Sequence, residues 1–134
     1  MDSVSEIKYR ALVAVTNEWV YGYYVVLDSG LERVECIWEL GAERATPIDR
    51  STLGQFTGLT DKNGKEIYER DIVRLRSYLQ EDIPDVIGRI RFERGSFHIY
   101  VDEFEKYNLD SLFMEIKVIG NIYQDNHLLK ENED

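Results

Sequence analysis

Four arginines carry the strongest chemical signal in the sequence. Arg74 and Arg76 alternate with apolar residues, and Arg89 and Arg91 do the same further along. Alternation sends every second side chain of a strand to one face. If the two segments pair, four guanidinium groups share a sheet face, with Tyr78 and Tyr100 as stacking partners. Arginine beside an aromatic ring is the chemistry of a nucleic-acid-binding surface. The competing reading is a solvated face whose arginines pair across strands with Glu93, Glu103 and their neighbours. The solvated face is favoured.

The other candidates are weaker. Cys36 is the single cysteine, so no internal disulfide exists. Its neighbours Glu35, Ile37 and Trp38 look like a strand, and a half-buried thiol in a core is the expected role. His98 and His127 lie far apart, and His98, between Phe97 and Ile99, is expected on the outer face of a strand. Asp61, Asn63, Glu66 and Glu69 hint at calcium. An EF-hand loop counted from Asp61 needs glycine at its sixth position and glutamate at its twelfth. Glu66 and Ile72 stand there instead, so a turn is expected. Asp61 and Asp71 are conceivable acid–base carboxylates, but no nucleophile or metal ligand recurs at useful spacing. Gly54-Gln55-Phe56-Thr57-Gly58 lacks the ending of a phosphate loop. It is expected to be a bent connection with Phe56 buried. No catalytic, cofactor or metal site is therefore assigned, and the chain is read as a non-enzyme.

Charge points the same way. The 134 residues include 26 acidic and 16 basic side chains, a net charge of −10. That opposes general binding to phosphate backbones and favours partners with a basic surface. Part of the excess sits at Asp102, Glu103 and Glu105, read as a solvated loop, and part in the tail at Glu131, Glu133 and Asp134, read as a frayed terminus. No run approaches the ~20 apolar residues of a membrane-spanning helix. Met1-Asp2-Ser3-Val4-Ser5-Glu6 lacks the basic start and apolar stretch of a signal peptide. A cytoplasmic protein without membrane contact is expected.

The elements that position these residues are short strands. Nine tyrosines, two prolines and repeated β-branched runs favour β structure. Strands are expected near 7–12, 19–27, 34–38, 72–76, 86–92, 97–101 and 116–123. Gly22 suggests a bulge or a close backbone approach. Asn63-Gly64 predicts a two-residue hairpin turn with positive φ at both residues. Residues 107–114 read as a short helix or irregular segment, and 125–129 as one capped helical turn. Without long helices between them, such strands predict antiparallel sheets and a small barrel. The expected fold is mainly β. It comprises an N-terminal β hairpin or small sheet with a connecting loop in 1–58, and an SH3-like barrel with a short tail in 59–134.

Three blocks resemble the YopX family of phage and prophage proteins. They are Ile7-Lys8-Tyr9-Arg10-Ala11 with Trp19-Val20-Tyr21-Gly22; the long segment from Leu53 to Val73 centred on Asp61-Lys62-Asn63-Gly64-Lys65-Glu66-Ile67-Tyr68; and Val118-Ile119-Gly120-Asn121-Ile122-Tyr123. Two positions depart from the pattern. The family has glycine where this chain has Arg70, so a different turn is expected before Ile72. It has tryptophan where this chain has Leu12. The resemblance implies a mainly β fold with an SH3-like barrel, a phage or prophage origin and a bacterial cytoplasm. It implies no activity and no catalytic residues. The expected function is a phage accessory protein that binds a host or phage protein, or copies of itself. The alternative is a nucleic-acid-binding module using Arg74, Arg76, Arg89 and Arg91.

Two outcomes are expected at this level. Gly64→Val lowers stability by about 1–2 kcal/mol, because a β-branched side chain is strained at positive φ; an unchanged melting temperature contradicts the turn. Cys36 reacts slowly with a thiol reagent in the folded chain and quickly after unfolding, because burial disfavours the thiolate. Equal rates in the two states contradict a buried strand position.

Overall fold

The computed structural model describes residues 7–79, 82–109 and 114–130, and the acidic tail at 131–134 lies outside them. The chain divides into two compact units, Met1–Gly58 and Leu59–Asp134. Both are built from antiparallel strands, and α1 (His127–Lys130) is a single helical turn. Among the described residues no helix is long and apolar enough to cross a membrane.

The first unit contains β1 (Tyr9–Leu12), β2 (Trp19–Asp28), β3 (Arg33–Trp38), β4 (Thr46–Pro47) and the start of β5 (Gly54–Thr60). They lie in the order β4-β3-β2-β1-β5. Register pairs Tyr24 with Ile37, and Ile37, Ala11 and Leu53 form a buried cluster covered by Tyr9, Val20, Tyr24 and Ile48. Cross-strand apolar pairs of this kind are what stabilises a sheet. Gly22 is the close approach expected of it, since a Cβ there would run into the Trp38 carbonyl. Cys36 is more deeply buried than half, at 1% exposure, and desolvation pushes its thiol pKa up.

The glycine-bracketed segment forms a strand, β5, where a bent connection was expected. Phe56 is nevertheless buried, with Lys8 Nζ 5.1 Å from its ring centre. The end of β5 turns into β6 (Glu66–Tyr68).

In the second unit, β7 (Asp71–Ser77), β8 (Val86–Glu93), β9 (Ser96–Tyr100), β10 (Lys106–Asn108) and β11 (Met114–Asn121) make an antiparallel sheet in the order β10-β9-β8-β7-β11. Val73, Leu75, Ile90, Ile99 and Val118 point to one face and form the core with Ile67 and Leu109. Period-two alternation turns Arg74, between Val73 and Leu75, and Arg89 and Arg91, on either side of Ile90, outward. Residues 106–108 form a strand where a helical or irregular segment was expected to begin. Pairing of Lys106 with Tyr100 and Asn108 with His98 supplies what three residues alone do not signal. No closed barrel forms among the described strands; the architecture is mainly β, in open antiparallel sheets.

Two turns differ from expectation for physical reasons. Asn63 does not take positive φ; only Gly64 does, at 81°. The Asp61 carboxylate dictates this. Its Oδ1 accepts the N–H groups of Asn63 (2.8 Å) and Lys65 (2.9 Å), while Gly64 N donates to Asp61 O at 3.0 Å. The result is a three-residue loop closed by a glycine. The two-residue turn with both φ values positive occurs instead at Arg94 (52°) and Gly95 (83°), between the paired Glu93 and Ser96. Arg70 keeps the left-handed backbone that suits glycine, with φ 72°. Its N–H donates to Ile90 O at 2.8 Å and its carbonyl accepts from Ile122 N at 3.1 Å, so neighbouring backbone holds the turn's hand.

Asp61 also accepts the Val118 N–H at 2.9 Å through Oδ2. Burial raises its pKa, but the N–H groups of Val118, Lys65 and Asn63, with the Lys65 charge, outweigh it and hold the carboxyl below the usual range. A depressed folded pKa adds stability that is fully present above the unfolded value of about 4 and disappears as pH falls through the folded value. Asp61→Ala is expected to cost about 3 kcal/mol near neutral pH. Asp61→Asn does not restore it, since an amide NH₂ then faces one of the three donors. Denaturant melts of the variants from pH 7 to pH 3 check this, with the wild-type advantage shrinking at the acidic end. A constant advantage across that range contradicts it.

Candidate binding groove on the five-stranded sheet

The register of β8, β9 and β10 sets the outer face of the sheet. Arg89 stands opposite Tyr100, which stands opposite Lys106; Arg91 stands opposite His98, which stands opposite Asn108. Arg91 places its guanidinium 4.7 Å from the Tyr100 ring centre, and Lys106 Nζ lies 5.7 Å from it. Each contact is a cation over an aromatic ring. His98 meets Tyr100 edge-on at 6.3 Å and shares a 2.9 Å hydrogen bond with Ser96 Oγ.

Above these residues runs a groove of about 950 Å³. Its floor is Ile87, Arg89, Arg91 and Glu93 of β8, with Tyr100 and Lys106 beside them. The loop 101–104 forms one wall, and Asn126 and Leu129 at the C-terminal helical turn line the groove as well.

That wall has a defined shape. Asp102 Oδ1 accepts the N–H groups of Phe104 (2.7 Å) and Glu105 (2.8 Å), and Val101 N donates to Glu105 O at 3.0 Å. This side-chain-to-backbone turn leaves Phe104 in solvent, 93% exposed.

Charges of both signs share the groove. Arg89, Arg91 and Lys106 line it together with Glu93, Asp102 and Glu103, and Lys106 Nζ lies 3.9 Å from Glu93 Oε1. The Tyr100 hydroxyl, then Lys106, Arg91 and Arg94, hold the Glu93 carboxyl below its usual range. The Tyr100 hydroxyl is shielded from solvent and stands beside Glu93 without closing a hydrogen bond of ordinary geometry. The carboxylate still pushes the phenol pKa up.

The six residues singled out in the sequence divide evenly. Arg89, Arg91 and Tyr100 line the groove; Arg74, Arg76 and Tyr78 do not. Arg74 and Arg76 alternate onto the outer face of β7, opposite Lys117 and Glu115. Asp85 engages Arg76 at Nε (3.3 Å) and Nη2 (3.2 Å), which neutralises it, lowers the Asp85 pKa and raises that of Arg76. Tyr78 follows the end of β7 and is 61% exposed. Lys106, Phe104 and Asp102 belong to the groove and were not singled out as binding residues. The only sequence signals for them were the acidic cluster around Asp102 and a phenylalanine within it.

A smaller apolar hollow of about 410 Å³ in the first unit is lined by Tyr23, Val25, Trp38 and Leu40. No group of His, Cys, Asp and Glu able to hold a metal occurs among the described residues.

The crystal structure of protein EF1440 from Enterococcus faecalis is similar to this chain at 23% identity and a TM-score of 0.52, covering 94% of this chain and 99% of that one. The crystal structure of yopX from Bacillus subtilis is similar at 20% identity and a TM-score of 0.59, covering 91% and 95%. These likenesses concern the fold. No curated protein matches the sequence. The family model described as YopX protein matches residues 8–130, and the chain therefore belongs to the YopX family.

Proposed function

We propose that the chain is a non-catalytic binding module whose groove takes a segment of a protein partner. The observation that carries this is the mixture of charge in one hollow: Arg89, Arg91 and Lys106 with Glu93, Asp102 and Glu103. The only formal charge a nucleic acid offers is negative, and the three carboxylates repel it. A polypeptide supplies both signs.

Two further facts support the reading. Arg91 and Lys106 already lie over the Tyr100 ring, so its faces are less open to a stacking base. The net charge of −10 opposes approach of any polyanion. We read the second unit as an open relative of the SH3-like barrels, an analogy of fold alone. On the family's account we set the protein in a bacterial cytoplasm as a phage or prophage accessory factor. Its partner is a host or phage protein, or a second copy of the chain. The arginine and aromatic cluster of the floor favours the second reading, a nucleic-acid interface.

Affinity capture from bacterial cells, with and without nuclease, separates the two. Wild type is expected to retain a protein partner through nuclease treatment, and the Arg89→Glu/Arg91→Glu double variant to lose it. Labelled single- and double-stranded oligonucleotides are expected to show no binding at near-physiological salt. A nuclease-sensitive partner, or micromolar oligonucleotide binding abolished in the double variant, reverses the assignment in favour of nucleic acid.

A further inference from the structure

The outer face of β8 reads, in order, Ile87, Arg89, Arg91 and Glu93, and all four line the groove. Same-face residues of a strand repeat every ~6.8 Å. An extended peptide repeats its own same-face side chains at that interval. The groove therefore presents a ruled sequence of chemistry: apolar, cationic, cationic, anionic.

Two of these positions have neighbours outside β8. Val101, Phe104 and Leu129 also line the groove and add apolar surface for the Ile87 position. Lys106 stands in the Arg89 row by register, while its Nζ lies 3.9 Å from Glu93 Oε1 and so borders the anionic position. Phe104 is held out by backbone bonds to Asp102 and not by packing, since the ring is 93% exposed. An exposed aromatic ring on a hydrogen-bonded turn is the kind of anchor that binding surfaces use.

We infer that the groove recognises an extended protein segment of seven residues with an apolar or aromatic side chain, two acidic side chains and one basic side chain at alternate positions. The acids lie over Arg89 and Arg91, the base over Glu93, and the apolar side chain against Ile87 and Phe104. Chain direction is free, so the order reads apolar-x-acid-x-acid-x-base or its reverse. This rests on the groove being the binding site, and it adds the chemistry and spacing of the occupant. A phosphate backbone meets the two arginines but leaves Glu93 facing like charge.

The test is fluorescence anisotropy with the full chain at near-physiological salt. The probes are labelled peptides Phe-Ser-Glu-Ser-Glu-Ser-Lys and its reverse, a peptide of equal composition with the two glutamates adjacent, and a single-stranded oligonucleotide. At least one patterned peptide is expected to bind about tenfold more tightly than the peptide with adjacent glutamates. Arg91→Glu is expected to abolish that preference, and a peptide with lysine in place of the glutamate that meets Arg91 to restore it. Phe104→Ala is expected to weaken binding about fivefold with no change in thermal unfolding. Equal binding of patterned and rearranged peptides, tighter binding of the oligonucleotide, or no rescue by the charge swap overturns the inference. If no peptide binds but the captured partner still depends on Arg89 and Arg91, the pattern is wrong and the groove reading stands. If capture is also indifferent to them, both fall.

Discussion

The Asp61 carboxylate is the constraint on which the second unit's geometry depends. Three backbone N–H groups converge on it, from Asn63, Lys65 and Val118. Two come from its own turn and one from a strand 57 residues further along the chain. A local turn and a long-range pairing are thereby joined through one side chain that is 8% exposed. Lys62 N donates to Ile116 O at 3.0 Å, and Lys62 Nζ meets Glu115 at 3.0 Å, so the join continues along β11. A buried charge is tolerated only when its hydrogen bonds are complete. Here that requirement selects the turn and aligns β11, which pairs with β7.

From that alignment the groove follows step by step. β11 fixes β7, β7 pairs with β8 through Ile72–Arg89 and Val73–Gly88, and β8 pairs with β9. Antiparallel pairing puts opposite residues on the same side. Arg89, Tyr100 and Lys106 therefore form a row although they come from three strands. The core beneath is apolar and well covered, with Ile90 and Ile99 at 0% and 1% exposure. The groove is thus carried by a packed layer, and its wall, the loop 101–104, is shaped by side-chain-to-backbone bonds.

Much of this was legible in the residues, and the misses have identifiable causes. The alternation of Arg89 and Arg91 with Gly88, Ile90 and Phe92 placed the arginines outward because period two admits no other arrangement. The mainly β character followed from β-branched and aromatic runs. Asn63-Gly64 misled because a dipeptide propensity ignores what the preceding aspartate accepts; the paired positive φ values went to Arg94-Gly95 instead. Arg70 was expected to change the turn, yet backbone bonds from Ile90 and Ile122 impose the left-handed conformation despite its side chain. Residues 106–108 gain strand character from β9, a neighbour in space. Arg74 and Arg76 do not line the groove although β7 pairs with β8: the register sets Arg74 opposite Ile87 and Ile72 opposite Arg89, and where a loop stands over the sheet is tertiary information.

The alternation along β8 couples two properties that are usually separable. Gly88 and Ile90 face the core and Arg89 and Arg91 face the groove. A slip of one residue in the pairing exchanges the two sets. It drives guanidinium groups into the hydrocarbon layer and lifts the isoleucine into water. No stable misregistered form with a rearranged outer face is accessible, because the same slip that alters that face destroys the core. Folding thus proofreads the surface: a chain that reaches the folded state at all carries these charges on the outer face in the order of its sequence.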